Sequence, residues 1–147
     1  NIVTFGSGHG FMADFLNSVE NANSFSIDSN FLETKIGKKI GLKSGVVADA
    51  SKPVFKKNSL DAICMEPNFF VETFLSTEIK KKILEEASLS LKPNGLLLVT
   101  SYLPKADSQV RQLIKKYGFT LIGFKDASAE KGNFILSNRT YAFRKNK

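Results

Sequence analysis

The chain is poor in the residues that staple a fold together. It holds one cysteine, Cys64, and one histidine, His9, in 147 residues. A lone cysteine excludes an internal disulfide and fits a reducing compartment, so the cytoplasm is the expected location. One cysteine with one histidine also falls short of a structural zinc site. Cys64 lies in the apolar run Ala62-Ile63-Cys64-Met65 and reads as a small core residue. No apolar stretch approaches the roughly 20 residues that cross a bilayer, and no basic-then-apolar leader opens the chain, so a soluble protein without a membrane partner is expected. Repeats and low-complexity tracts are missing as well.

What is present is ordinary for a globular protein. The chain is 42% hydrophobic and 24% charged, which argues against disorder and for one domain spanning residues 1–147. It begins without methionine, directly on an informative strand, and native residues upstream are expected. Charge is unbalanced, with 21 Lys and Arg against 14 Asp and Glu, a net +7. A basic balance favours polyanions and makes nucleic acid a candidate partner. The lysines are dispersed in small groups, however, and each group alone reads as a solvated face.

Apolar periodicity divides the chain into alternating elements. Ile2, Val3 and Phe5 form a short buried strand, followed by a helix from Phe11 to about Glu20 with Phe11, Phe15, Leu16 and Val19 at core-facing spacing. Ser24 to Ile27 is a second strand, Asn30 to Lys38 a short helix with Asn30 as N-cap, and Gly45 to Ala48 a third strand. Ser59 to Met65 is a fourth. The spacing of Ile79, Ile83, Leu84, Ala87 and Leu91 predicts a helix over 76–91, with Lys80, Lys81 and Lys82 outward. Pro93-Asn94-Gly95 predicts a turn before the fully apolar strand Leu96 to Val99. A helix from Ser108 to Tyr117 stops at Gly118, and Phe119 to Phe124 and Thr140 to Phe143 are the last strands, joined by a polar loop and expected to pair as a hairpin that makes one edge strand antiparallel. Such alternation argues an α/β sheet of largely parallel strands.

The residues that suggest chemistry open the chain. In Phe5-Gly6-Ser7-Gly8-His9-Gly10, glycines at alternate positions permit a tight turn between strand and helix, with bare N–H groups at the positive end of a helix dipole. Glycine clusters also mark plain loops. Asp28 at the tip of the next strand stands 20 residues past Gly8, the spacing at which an acidic side chain takes a ribose in nucleotide-binding βαβ units. The dinucleotide fingerprint G-x-G-x-x-G is not met, because position 11 is Phe; the pattern is G-x-G-x-G.

This motif resembles the first motif of class I S-adenosylmethionine-dependent methyltransferases. The resemblance extends through Ile27-Asp28, Ala48-Asp49-Ala50, Leu60-Asp61-Ala62-Ile63, Leu91-Lys92-Pro93-Asn94-Gly95 and Gly118-Phe119, covering essentially the whole chain. It implies a Rossmann-like sheet of about seven strands, mostly parallel with an antiparallel C-terminal hairpin strand and helices on both faces. It also implies S-adenosylmethionine as cofactor, with Phe5, Gly6, Ser7 and Gly8 along the methionine part, Asp28 on the ribose hydroxyls, Asp49 on the adenine amino group and Ala50 offering its N–H. Asp49 read alone is equally a loop residue capping Ser51 or Lys52. One position departs from the family: Thr4 stands where an acidic residue usually helps hold the methionine amino group.

Glu66-Pro67-Asn68-Phe69-Phe70, directly after the fourth strand, resembles a diverged Asp/Asn-Pro-Pro-Tyr/Phe motif of amino-group methyltransferases. There Glu66 and the Pro67 carbonyl would accept the amine hydrogens and Phe69 would stack on a flipped base; read alone, Pro67 ends a strand and Phe69-Phe70 are core. The nearest likeness is to RNA guanine-N2 methyltransferases, which implies transfer to a base amino group of tRNA or rRNA. Methylation of a small metabolite, and a cofactor-free domain serving in binding or assembly, are the alternatives. His9 reads as a helix-start residue facing solvent.

Overall fold

The computed structural model describes residues 1–19, 22–65, 75–101, 107–126, 129–131, 134–136 and 139–146. Strands β1 (Ile2–Phe5), β2 (Ser24–Asp28), β3 (Gly45–Val47), β4 (Leu60–Met65), β5 (Leu91–Ser101), β6 (Phe119–Asp126) and β9 (Arg139–Lys145) form one seven-stranded sheet. Its spatial order is β3-β2-β1-β4-β5-β9-β6, with β9 antiparallel to both neighbours and the other pairings parallel. The hairpin partner expected from the sequence is therefore present, but the reversed strand is the penultimate one and β6 forms the edge. β9, the last strand in the chain, fills the slot between β5 and β6, where Arg139 Nε donates to Asp126 Oδ2 at 3.0 Å. The polar loop before it contains a small hairpin of β7 (Ala129–Lys131) and β8 (Phe134–Leu136).

Among the described residues, four helices connect the strands: α1 (Phe11–Val19), α2 (Phe31–Lys39), α3 (Thr77–Ser90) and α4 (Asp107–Lys116). Right-handed crossovers from β1 to β2 and from β2 to β3 put α1 and α2 on one face, and those from β4 to β5 and β5 to β6 put α3 and α4 on the other. Asn30 caps α2 through its side chain, and Ser76 caps α3 rather than belonging to it. Strand β5 starts where α3 ends. Leu91 pairs with Leu60 and Leu96 with Ala62, so the expected turn Pro93-Asn94-Gly95 is a bulge inside the strand, with Asn94 at φ +65°.

The α3/α4 face carries the core. Val3, Phe5, Ile27, Ile63, Met65, Leu97 and Val99 from the sheet meet Ile83, Leu84 and Ala87 of α3 and Ile114 of α4. Three expectations fail. Phe11 and Phe15 are exposed while Ala13 alone is fully buried on α1, because the helix lies too close to the sheet for a large side chain beneath it. Lys80, expected beside Lys81 and Lys82 on the outside, is only 5% exposed, its stem packed on the inner side of α3. Cys64 is half-buried rather than fully internal. Among the described residues, no helix is long and apolar enough to cross a membrane, and no group of three or more His, Cys, Asp or Glu is placed to hold a metal.

Candidate functional site

The site is built at the carboxyl ends of β1, β2 and β3, where an open parallel sheet presents strand tips and helix N-termini together. β1 ends at Phe5, and the chain turns through Gly6 (φ +67°) and Gly8 (φ +55°), backbone that L side chains rarely adopt. Gly6 N–H donates to the Ile27 carbonyl and Gly10 N–H to the Ser7 carbonyl, so the turn is closed on itself and on β2. Over Gly6 the space is empty, since a Cβ there would meet nothing within 4 Å. Gly10 and Gly37 are glycine for the opposite reason. A Cβ on Gly10 would lie 2.7 Å from Ser26 Oγ, and one on Gly37 would overlap the His9 carbonyl. Bare backbone at these points lets the turn sit hard against β2 and α2.

Asp28 joins the turn to the second strand. Its Oδ2 accepts from Gly8 N–H at 2.8 Å and its Oδ1 from Asn30 N–H at 2.8 Å. Each oxygen keeps a second lone pair, so the carboxylate is held in place without being saturated. Asp49, after β3, caps the next turn. Its Oδ1 accepts from Ser51 N–H at 2.9 Å and Ser51 Oγ at 2.7 Å, and the residue also lines the cleft. The Ser51 hydroxyl, then the Ser51 amide, hold the Asp49 carboxyl below the usual carboxylate range.

Phe5, Gly6, Asp28, Asp49 and Ala50 line one cleft together with Ser29, Ala48, Met65, Leu75, Ile79 and Ile83. The cleft encloses about 110 Å³ and opens to solvent. Ser7 and Gly8 are not among its walls. Gly8 spends its N–H on Asp28. Ser7 Oγ and Thr4 Oγ1 are buried with no hydrogen-bond partner among the described residues. His9 is not free in solvent: Nδ1 lies 3.1 Å from Glu33 Oε2, and the ring tilts against Phe11 at 5.9 Å. Glu66, Pro67 and Phe69 lie outside the described residues, though β4 delivers Met65 to the cleft wall directly before them.

The apolar floor from α3 was not read from the sequence as part of a site. Ile79 and Ile83 share a helix face four residues apart and register there as core. Their role follows from the crossover of α3, which sets its N-terminal turns under the tips of β1 and β4.

The donor set fits an adenosyl ligand: a carboxylate at the second strand tip for vicinal hydroxyls, a carboxylate and a neighbouring N–H after the third, apolar side chains between them, and an open approach over Gly6. No curated protein matches the chain. Among solved structures, a SAM-dependent methyltransferase from Methanosarcina mazei superposes with a TM-score of 0.78 at 16% identity, covering 99% of this chain and 92% of that one. One from Aquifex aeolicus gives 0.72 at 20% identity, covering 97% and 80%. A methyltransferase in complex with the Haloferax volcanii Trm112 methyltransferase activator gives 0.78 at 12% identity, covering 99% and 82%. The family described as "Methyltransferase domain" matches residues 3–99. The chain belongs to this methyltransferase domain family, and S-adenosylmethionine is its cofactor.

Proposed function

We propose that the chain is a catalytically competent methyltransferase of the cytoplasm whose acceptor is a base amino group in tRNA or rRNA. The observation that supports competence best is the bond from Gly8 N–H to Asp28 Oδ2, which ties the glycine turn to the carboxylate beside the cleft. Asp28 would receive both ribose hydroxyls on its remaining lone pairs. Asp49 would accept from the adenine amino group and Ala50 would donate its N–H, with Ile79 and Ile83 against the adenine face. Gly6 would pass under the methionine part, and Phe5 would close the wall behind it.

The bound cofactor supplies a methyl group on a sulfonium, a good leaving group. The chain's task is then positioning, with the acceptor nitrogen in line with the methyl carbon. Glu66 and the Pro67 carbonyl would hold the amine hydrogens and Phe69 would stack on the base. The basic balance of the chain supports a polyanionic substrate.

Calorimetry tests the cofactor part. S-adenosylhomocysteine should bind with micromolar affinity to the native chain and not detectably to Asp28→Ala. Retained affinity in the variant would remove the ribose assignment. Methyl incorporation into tRNA, measured at rising salt, tests the acceptor, and a salt-independent tRNA affinity would count against it. A second reading, a methyltransferase-like assembly subunit, draws on the neutral Thr4 at the usual acidic position and on the activator-bound Haloferax relative. Absence of cofactor binding in a folded sample would favour it.

A further inference from the structure

Outside the cleft, the largest unexplained feature is the outer surface of α1 and α2. The two helices lie side by side, since Asp14 of α1 accepts from Lys43 N–H and Ser44 Oγ in the α2–β3 connection, and Asn17 donates to Ser44 Oγ. Phe11 and Phe15, four residues apart, share the face of α1 opposite the buried Ala13. On α2, Glu33 and Gly37 face the glycine turn. Leu32, Ile36 and Ile40, spaced by four, run along the outward edge of that side, toward α1. All five are open to solvent: Phe15 is 58% exposed, Leu32 64% and Ile40 57%. They stand on the outer surface of two neighbouring helices, each of nine residues, or roughly 13 Å long. Contiguous exposed apolar surface of this kind marks an interaction site.

Charge says what fits it. Lys35, Lys38, Lys39 and Lys43 stand exposed along the α2 side, and among the described residues none of them is in an ion pair. α1 contributes no basic residue, and its Asp14 is occupied by backbone and hydroxyl donors. The surface therefore has an apolar middle and one basic flank. A second copy of this chain would bring the same lysines against themselves. We propose that the outer surface of α1 and α2 is a docking site for an amphipathic helix of another protein, apolar on one face and acidic on the flank that meets α2.

The seat of this helix is mechanically joined to the glycine turn. His9 contacts Phe11 on α1 and Glu33 on α2, and its carbonyl packs on Gly37. An occupant gripping Phe11 and Ile36 clamps both walls around residues 8–10.

The experiment uses the full chain, labelled with ¹⁵N and free of cofactor, so that its result stands apart from the methyltransferase reading. The probe is a stapled peptide of about three helical turns, with leucines along one face and glutamates on one flank. Amide shifts should cluster on α1 and α2, exchange at Gly8 and Gly10 should slow, and Ile36→Asp should weaken binding about tenfold. Lys39→Glu should weaken it in low salt, and a peptide with lysines in place of its glutamates should fail on the native chain. No shifts, or shifts elsewhere, would overturn the proposal. So would co-sedimentation with phosphatidylserine vesicles that Ile36→Asp abolishes when the peptide does not bind, or a dimer in sedimentation equilibrium that Phe15→Asp dissolves.

Discussion

The two faces of the sheet are built on opposite rules. Under α3 and α4 the sheet presents Val3, Phe5, Ile27, Ile63, Leu97 and Val99, and the helices return Ile83, Leu84 and Ile114; large apolar groups meet large apolar groups. Under α1 and α2 it presents Thr4, Ser24 and Ser26, all buried, beneath Ala13, Thr34 and Gly37. There Ser24 Oγ donates to the Ala13 carbonyl at 2.6 Å and Asn17 brackets Ser24 from both sides, donating to its carbonyl and accepting from its N–H. Hydrophobic burial is non-directional and tolerates adjustment, whereas small residues joined by hydrogen bonds fix one distance. The first face supplies stability, and the second holds the glycine turn in position. The close approach on the second face also drives its large apolar residues to the outside.

The largest effect should come from the apolar face. Leu84→Ala removes a fully buried side chain from the centre of that core and should cost about 2–5 kcal/mol of unfolding free energy, measured by urea titration, with cofactor affinity of the folded fraction unchanged. Gly37→Ala should cost less stability, about 1–3 kcal/mol, yet weaken S-adenosylhomocysteine binding strongly, because the new methyl overlaps the His9 carbonyl and must displace the turn. Equal losses of affinity in the two variants would erase the division of labour between the faces.

The sequence announced the apolar face well and the other poorly, for a physical reason. Runs such as Leu96-Leu97-Leu98-Val99 and the spacing of Ile83, Leu84 and Ala87 are direct signals of burial, and the structure buries Leu97, Val99, Ile83, Leu84 and Ala87 on this face, with Leu96 and Leu98 half-buried. On α1 the same logic pointed to Phe11 and Phe15, and failed; Leu32 and Ile36 of α2 are exposed as well. What decides that face is how near the helix lies, and this is set by Ala13, Gly37 and Gly45, whose signal is the lack of a side chain. The cleft was legible in part. Gly6, Asp28, Asp49 and Ala50 follow from motif and strand order, whereas Ile79 and Ile83 needed the crossover geometry to be seen as its floor. The position of β9 inside the sheet has no local signature at all, because adjacency between distant strands is a property of the whole fold.

A smaller effect should follow from substitution on the outer surface. Phe15→Ser and Ile36→Ser remove exposed apolar groups, and stability should change by no more than about 0.5 kcal/mol, while solubility at high concentration rises. A loss comparable to that of Leu84→Ala would mean that these side chains belong to a core, and the contrast between the faces would vanish.

The smallest effect should come from charge at the far end of the strands, away from both faces. Asp61 on β4 accepts from Lys92 Nζ at 2.6 Å, and this ammonium, followed by the Asn1 amino group, lowers its pKa to about 2. A carboxyl whose pKa is lower folded than unfolded stabilises the native state above its unfolded value of 3.8, and that contribution fades as pH falls from there toward about 2. Asp61 is half exposed, so solvent screens the pair, and Asp61→Asn should cost at most about 0.5 kcal/mol at pH 7. The difference from the native chain should close in urea titrations carried down to pH 2. A difference that persists at that pH would show the side chain acting through packing instead, and would add a third source of stability to the two that the faces provide.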